Sequence, residues 1–230
     1  MAYQSDESIQ SEVMFQLGWD SRITQTEIGV SVRKCVVTLT GAVGSYAEKL
    51  AAQEAAHRVP GALDVVNDIE VRSPEDVGLG DAEIAHALRH ALEWNALVPG
   101  ERIQVTVVDG WVTLQGAVEY YSERVDAERA VSLLPGVRGV TNHIQVVAPI
   151  EPERVKFLIE DALERRAERE ANRIRVEVEE GEVTLSGPVN SWDEKKAILG
   201  IVSHAPGVTA VHDRLFINLY KPGFEFAKAK

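Results

Sequence analysis

The sequence predicts an α+β protein built from three tandem α-β-β-α-β units, each a small mixed three-stranded sheet with two helices on one face. Two landmarks carry that prediction. A short apolar strand ends three times in one phrase: Val37-Thr38-Leu39-Thr40-Gly41-Ala42-Val43, Val112-Thr113-Leu114-Gln115-Gly116-Ala117-Val118 and Val183-Thr184-Leu185-Ser186-Gly187-Pro188-Val189. A Pro-Gly pair follows each glycine by 19 positions, at Pro60-Gly61, Pro135-Gly136 and Pro206-Gly207, so both landmarks share one internal ruler. The ruler divides the chain into units over 1–75, 76–149 and 150–218, with a tail over 219–230 outside the repeat. Units of 70 to 80 residues bury only about 60 to 65% of their unfolded surface, so contacts between them are expected.

Each unit opens with a helix whose apolar residues recur at i, i+4 and i+8: Ile9, Val13 and Leu17; Ile84, Leu88 and Leu92; Val155, Ile159 and Leu163. That spacing makes one buried stripe. Acidic or capping residues precede each stripe, and Pro152 falls where a first-turn proline is tolerated. Period-two segments follow from Ile28, Ile103 and Ile174, which reads as strand. Asp109-Gly110 and Glu180-Gly181 then turn the chain into the landmark strand, whereas the first unit has Lys34-Cys35 and predicts a less ideal hairpin. Second helices run over about 45–58, 120–133 and 191–204, opening with Tyr46-Ala47-Glu48-Lys49, Tyr121-Ser122-Glu123-Arg124 and Trp192-Asp193-Glu194-Lys195. Pro-Gly ends each, because proline disfavours helix in the residue before it and glycine accepts the turn. A last strand carries Val65, Ile69 and Val71, then Val140, Ile144 and Val146, then Val211, Leu215 and Ile217. Right-handed crossover places both helices on one face of the sheet and leaves the other face for contacts between units, ligands or copies.

The formal charge of −12 argues against nucleic acid and against an anionic membrane as partners. Residues 151–230 are nearly balanced, with 15 acids against 13 bases, so any approach to lipid headgroups is expected there. Arg165, Arg166, Arg169, Arg173 and Arg175 cluster around one helix end, but Glu164, Glu168 and Glu170 alternate with them and a solvated helix face is the reading adopted. The N-terminus has no basic start followed by an apolar run, no stretch approaches the length of a membrane span, and the lone Cys35 cannot form an internal disulfide. A cytoplasmic protein is expected.

No catalytic constellation emerges, and neither an enzyme nor a cofactor is expected. His86 and His90 stand four apart on a helix, a spacing that can serve one metal, but no third ligand accompanies them and an exposed face is expected. His57, His143, His204 and His212 belong to different elements and suggest no shared site. Cys35 has no partner motif and reads as a turn thiol. Glu179, Glu180 and Glu182 form a loose oxygen cluster, read as a solvated acidic turn rather than a metal site. Neither GxGxxG nor a Gly-Lys-Ser/Thr phosphate loop occurs. The tail is the most unusual segment: Tyr220, Phe224 and Phe226 among three lysines are the candidate partner-binding residues.

At this point the strand ending in Val-Thr-Leu-x-Gly-x-Val, the Glu-Lys/Arg helix after it and the strand Pro-Gly-Val-x-x-Val-x-Asn resemble the BON domain, named for bacterial osmotic-stress and nodulation proteins. The second unit matches best, through Gly116, Pro135, Gly136, Val137, Val140 and Asn142. The first departs at Ala62 and Leu63-Asp64, the third at Pro188 and Asp213. The resemblance implies non-enzymatic modules of osmotic or envelope stress that bind proteins, phospholipid or, in one branch, potassium. It also implies a structural role for the repeat glycines Gly41, Gly116, Gly187, Gly61, Gly136 and Gly207. The expectation is therefore a binding protein of the osmotic or general stress response that contacts proteins or itself, with potassium or calcium binding and peripheral phospholipid binding as alternatives.

Overall fold

A computed structural model describes residues 5–24, 27–72, 79–147, 155–161 and 174–218. In the first unit, α1 (Asp6–Trp19) is followed by a hairpin of β1 (Ile28–Arg33) and β2 (Val36–Val43), then α2 (Tyr46–His57), β3 (Asp64–Asn67) and β4 (Glu70–Val71). The second has α3 (Asp81–Trp94), a short 3-10 turn at Gly100–Arg102, β5 (Ile103–Val108), β6 (Trp111–Val118), α4 (Tyr121–Ser132) and β7 (Gly139–Val146). The third has α5 over residues 155–161, β8 (Arg175–Glu179), β9 (Glu182–Val189), α6 (Trp192–Ser203) and β10 (Ala210–Ile217).

In every sheet the landmark strand lies in the middle, antiparallel to the strand before it and parallel to the strand after the crossover helix. Alternation then sorts side chains by face. Val112, Leu114 and Val118 point to the helices and are buried, as are Val37, Leu39 and Val43 and, in the third unit, Val183, Leu185 and Val189. The helix stripes meet them: Ile9, Val13 and Leu17 in the first unit, Ile84, Leu88 and Leu92 in the second, Val155 and Ile159 in the third. Leu163 lies outside the described residues. The opposite sheet face is solvated, with Gln104, Thr106, Gln115 and His143 exposed.

The landmark glycine has a steric reason. Gly116 sits at φ 144°, and a Cβ there would run into the carbonyl oxygen of Arg102, where the chain enters β5. The Pro-Gly glycine has another. Gly136, at φ 83°, leaves room for Ile84, whose Cδ1 would stand 2.7 Å from an added Cβ.

The hairpin turns are alike despite their sequences. Lys34 and Cys35 adopt φ 53° and 63°, beside 50° and 74° at Asp109-Gly110 and 49° and 87° at Glu180-Gly181. Left-handed backbone at two non-glycine residues is unfavourable. The Asp6 carboxylate offsets part of that cost by accepting from the backbone N–H groups of Lys34 and Cys35, each at 2.9 Å. Asp81 does the same for Asp109 and Gly110. The third unit has Pro152 at this position of the sequence, outside the described residues.

One expected element differs. The last strand of the first unit is not continuous, because β3 ends at Asn67 and pairing with β2 resumes only at Glu70. Asp68, a poor strand former, stands where the continuous β7 and β10 have His143 and Arg214. Its N–H still reaches the carbonyl of Leu39 at 2.8 Å, so the chain keeps its course across the gap. Among the described residues no helix is long and apolar enough to cross a membrane.

Candidate functional site

The aromatic, the glutamate and the base that open each second helix have separate tasks. The glutamate closes the N-terminus: Glu123 accepts from the N–H groups of Glu119 and Tyr120 at 2.9 and 3.0 Å, and Glu194 from Asn190 at 2.6 Å. Glu48 accepts from Gly44 and from both Thr24 donors, which also ties α2 to the loop after α1. The base reaches the last strand, Arg124 to the Asn142 carbonyl at 3.3 Å and Lys195 to the Leu215 carbonyl at 2.9 Å. The aromatic reaches a neighbouring unit.

Tyr46 packs against the core of the second unit as well as its own. Burial, and after it the Glu128 carboxylate of the second unit, push its phenol pKa up. Tyr121 in turn packs against the core of the third unit. Trp192 completes the cycle by stacking on His57 of the first unit, with ring centroids 3.7 Å apart and planes within 2°. The three equivalent aromatics therefore close a ring of units. These contacts run through the second helices, which the open-face expectation did not foresee. Beside the last seam, Lys196 reaches Glu54 at 3.2 Å, Glu54 holds Arg22 at 3.0 Å, and Arg22 and Arg58 both hold Asp20 at 2.8 Å.

Inside each unit the residue equivalent to Asn142 locks helix to strand. Asn142 donates to the Arg124 carbonyl at 2.9 Å and to Glu128 at 3.1 Å, while its oxygen accepts from the Ile144 N–H. Asn67 repeats the arrangement with Lys49, Gln53 and Ile69. Asp213 has no amide to donate. It keeps the bond from the Leu215 N–H and replaces the rest by an ion pair with Lys195 at 2.9 Å.

Facing away from the cores, the first helices carry exposed aromatics. Trp19 and Trp94 occupy equivalent positions and are 79% and 77% exposed. Each has a ring one turn earlier, Phe15 at 6.1 Å and His90 at 5.4 Å between centroids. Met14 and Phe157 are also exposed on these helices. Sequence reasoning passed over the pair, although the 75-residue offset aligns Trp94 with Trp19. It also passed over the pairing of His57 with Trp192, since stacking across units leaves no spacing to read.

His86 and His90 are exposed, and His90 turns to Trp94. Among the described residues no group of three or more His, Cys, Asp or Glu side chains could hold a metal. Glu182 pairs instead with His212 at 3.0 Å. Cys35 is a half-buried free thiol in its turn. An open cleft of about 720 Å³ between the first two units is lined by Lys49, Arg72 and Arg138 against Asp68, Glu70 and Asp109, so its charges balance and select no ligand sign. Arg175 lies on β8 and pairs with Glu177. The other four arginines of that cluster, and the tail residues Tyr220, Phe224 and Phe226, lie outside the described residues.

Three sheet-and-helix units joined through one repeated aromatic position define a tandem-module protein. The chain belongs to the BON domain family, whose model matches residues 5–73, 80–148 and 153–218. It is 28% identical over 147 residues to osmotically-inducible protein Y of Escherichia coli (strain K12), covering 62% of this chain and 73% of that one. Two solved structures of CdsD, a structural protein of the type III secretion system of Chlamydia trachomatis, align over 90% and 91% of this chain and 91% and 96% of theirs. Both are 13% identical, with TM-scores of 0.27 and 0.26.

Proposed function

We propose that the chain is a non-catalytic interaction protein of the osmotic or general stress response, acting in the cytoplasm and contacting proteins or further copies of itself. The observation that carries this reading is the repeated, exposed aromatic pair on the first helices. Tryptophan is the residue type most often at the energetic centre of protein interfaces, and two of the four in this chain stand more than three-quarters exposed at equivalent positions. The similarity to an osmotically inducible protein supports the setting. The tail aromatics Tyr220, Phe224 and Phe226 are proposed as a second contact.

The test is complementation under hyperosmotic challenge. A strain lacking the chain is given either the wild type or the Trp19→Ala/Trp94→Ala variant, with circular dichroism to check folding and light scattering to follow assembly. Both side chains are solvated, so folding is expected to survive while recovery of growth and association with partners or copies fall. Full recovery with the double variant would count against the reading.

A further inference from the structure

We propose that the stack of His57 on Trp192 is an acid-released latch, in which protonation of His57 opens the seam between the first and third units while all three cores stay folded. The chain runs from the first unit to the second and from the second to the third, so only the third-to-first seam has no covalent link. Among the described residues that seam includes the stack and the exposed Lys196–Glu54 ion pair.

His57 is only 9% exposed, and its Nδ1 has no hydrogen-bond partner. A neutral imidazole tolerates this, because an unpaired acceptor nitrogen costs little beside an unpaired charged donor. The imidazolium would bury a positive N–H with nothing to accept it. The charges that act on the ring are Lys195 from α6 and Asp64 from β3, while Glu54 of α2 is paired with Lys196 and Arg58, the residue after α2, with Asp20. Lys195, whose Nζ lies 5.5 Å from the centre of the Trp192 ring, opposes a second cation, and Asp64 favours one. Burial first, then Lys195, hold the His57 pKa at about 4 against 6.5 in water.

Because the closed state has the lower pKa, closure is fully supported above pH 6.5 and loses support as pH falls towards 4. From pH 7.5 to 4.5 the open-to-closed ratio rises roughly 70-fold on those two values. Asp20 and Glu54, the carboxylates paired beside the seam, are both held below their ordinary values. Arg22 and Arg58 hold Asp20 well below the ordinary range, and hydrogen bonds from Arg22 and Lys196 keep Glu54 low although its burial works the other way.

The test uses the full chain. Small-angle scattering at pH 7.5 and 4.5 reads the open fraction, circular dichroism follows the cores, and imidazole NMR follows His57. The wild type is expected to expand with a midpoint that tracks His57 protonation and with unchanged helix and strand content. His57→Phe, which can still stack and cannot titrate, should stay compact at both values. Expansion of the variant at the wild-type pH, absence of expansion by pH 4.5, or loss of secondary structure over the same interval would each overturn the latch. If the variant does not fold, the wild-type titration decides by itself, since expansion out of step with His57 protonation has the same meaning.

Discussion

Tyr46 and Tyr121 make two of the ring's seams and Trp192 makes the third, from the same place in the repeat. The tyrosines lie on apolar cores of units to which their own unit is covalently joined. Trp192 lies on a histidine in a unit to which its own has no direct chain connection. Where the first unit has His57, the others have Ser132 and Ser203, both buried, whose hydroxyls donate to helix carbonyls of Glu128 at 2.7 Å and Gly200 at 3.0 Å. A buried serine is satisfied by its own helix. A buried histidine is not, and its stack trades hydrogen bonding for contact area. The seam that lacks a covalent tether is thus also the one whose receiving group can change charge.

The comparison is most severely tested by truncating the tyrosines. Tyr121→Ala or Tyr46→Ala should lower global stability by about 2 kcal/mol, roughly half of what a fully buried aromatic loses, as read by urea denaturation. Asn142→Asp comes next, at about 1–2 kcal/mol, because it removes the side-chain donor to the Arg124 carbonyl and sets a carboxylate beside Glu128. The reverse change, Asp213→Asn, restores the amide of the other units and should stay within about 0.5 kcal/mol; a large loss there would mean that the Lys195–Asp213 pair matters beyond replacing the amide. Trp192→Ala should cost about 1 kcal/mol, felt in ring closure more than in the cores, and scattering should show expansion at neutral pH. Equal losses of global stability at all three aromatic positions would erase the distinction between the seams. Smallest is Lys196→Gln, at about 0.5 kcal/mol or less, since the pair with Glu54 is exposed and screened by salt.

Much of each unit could be read directly because its determinants are local. The stripe Ile84, Leu88 and Leu92, the alternation through Val112 and Leu114, and the Asp-Gly turn each specify an element within a few residues. The Lys34-Cys35 hairpin kept its form where the residues argued otherwise, because Asp6, some 28 positions away, supplies the acceptor. The break between β3 and β4 was hidden because Val65, Ile69 and Val71 keep the apolar pattern across it. The recurring aromatic-x-Glu-base phrase was visible, yet nothing in its spacing shows that its aromatic reaches a neighbouring unit. The aromatic tail Tyr220, Phe224 and Phe226 is legible from sequence and lies outside the described residues, whereas the pairs Phe15 with Trp19 and His90 with Trp94 on outward helix faces are not, because exposure is a property of packing.

By itself, then, the sequence determined three α-β-β-α-β units, their order, and the glycines on which their turns depend, because periodicity, capping and steric limits act over short stretches of chain. Only the tertiary structure decided that Tyr46, Tyr121 and Trp192 join those units in a ring and that His57 lies beneath the last of them. Contacts between residues 135 positions apart, as His57 and Trp192 are, obey no period, and their chemistry comes from burial that exists only once the units have met.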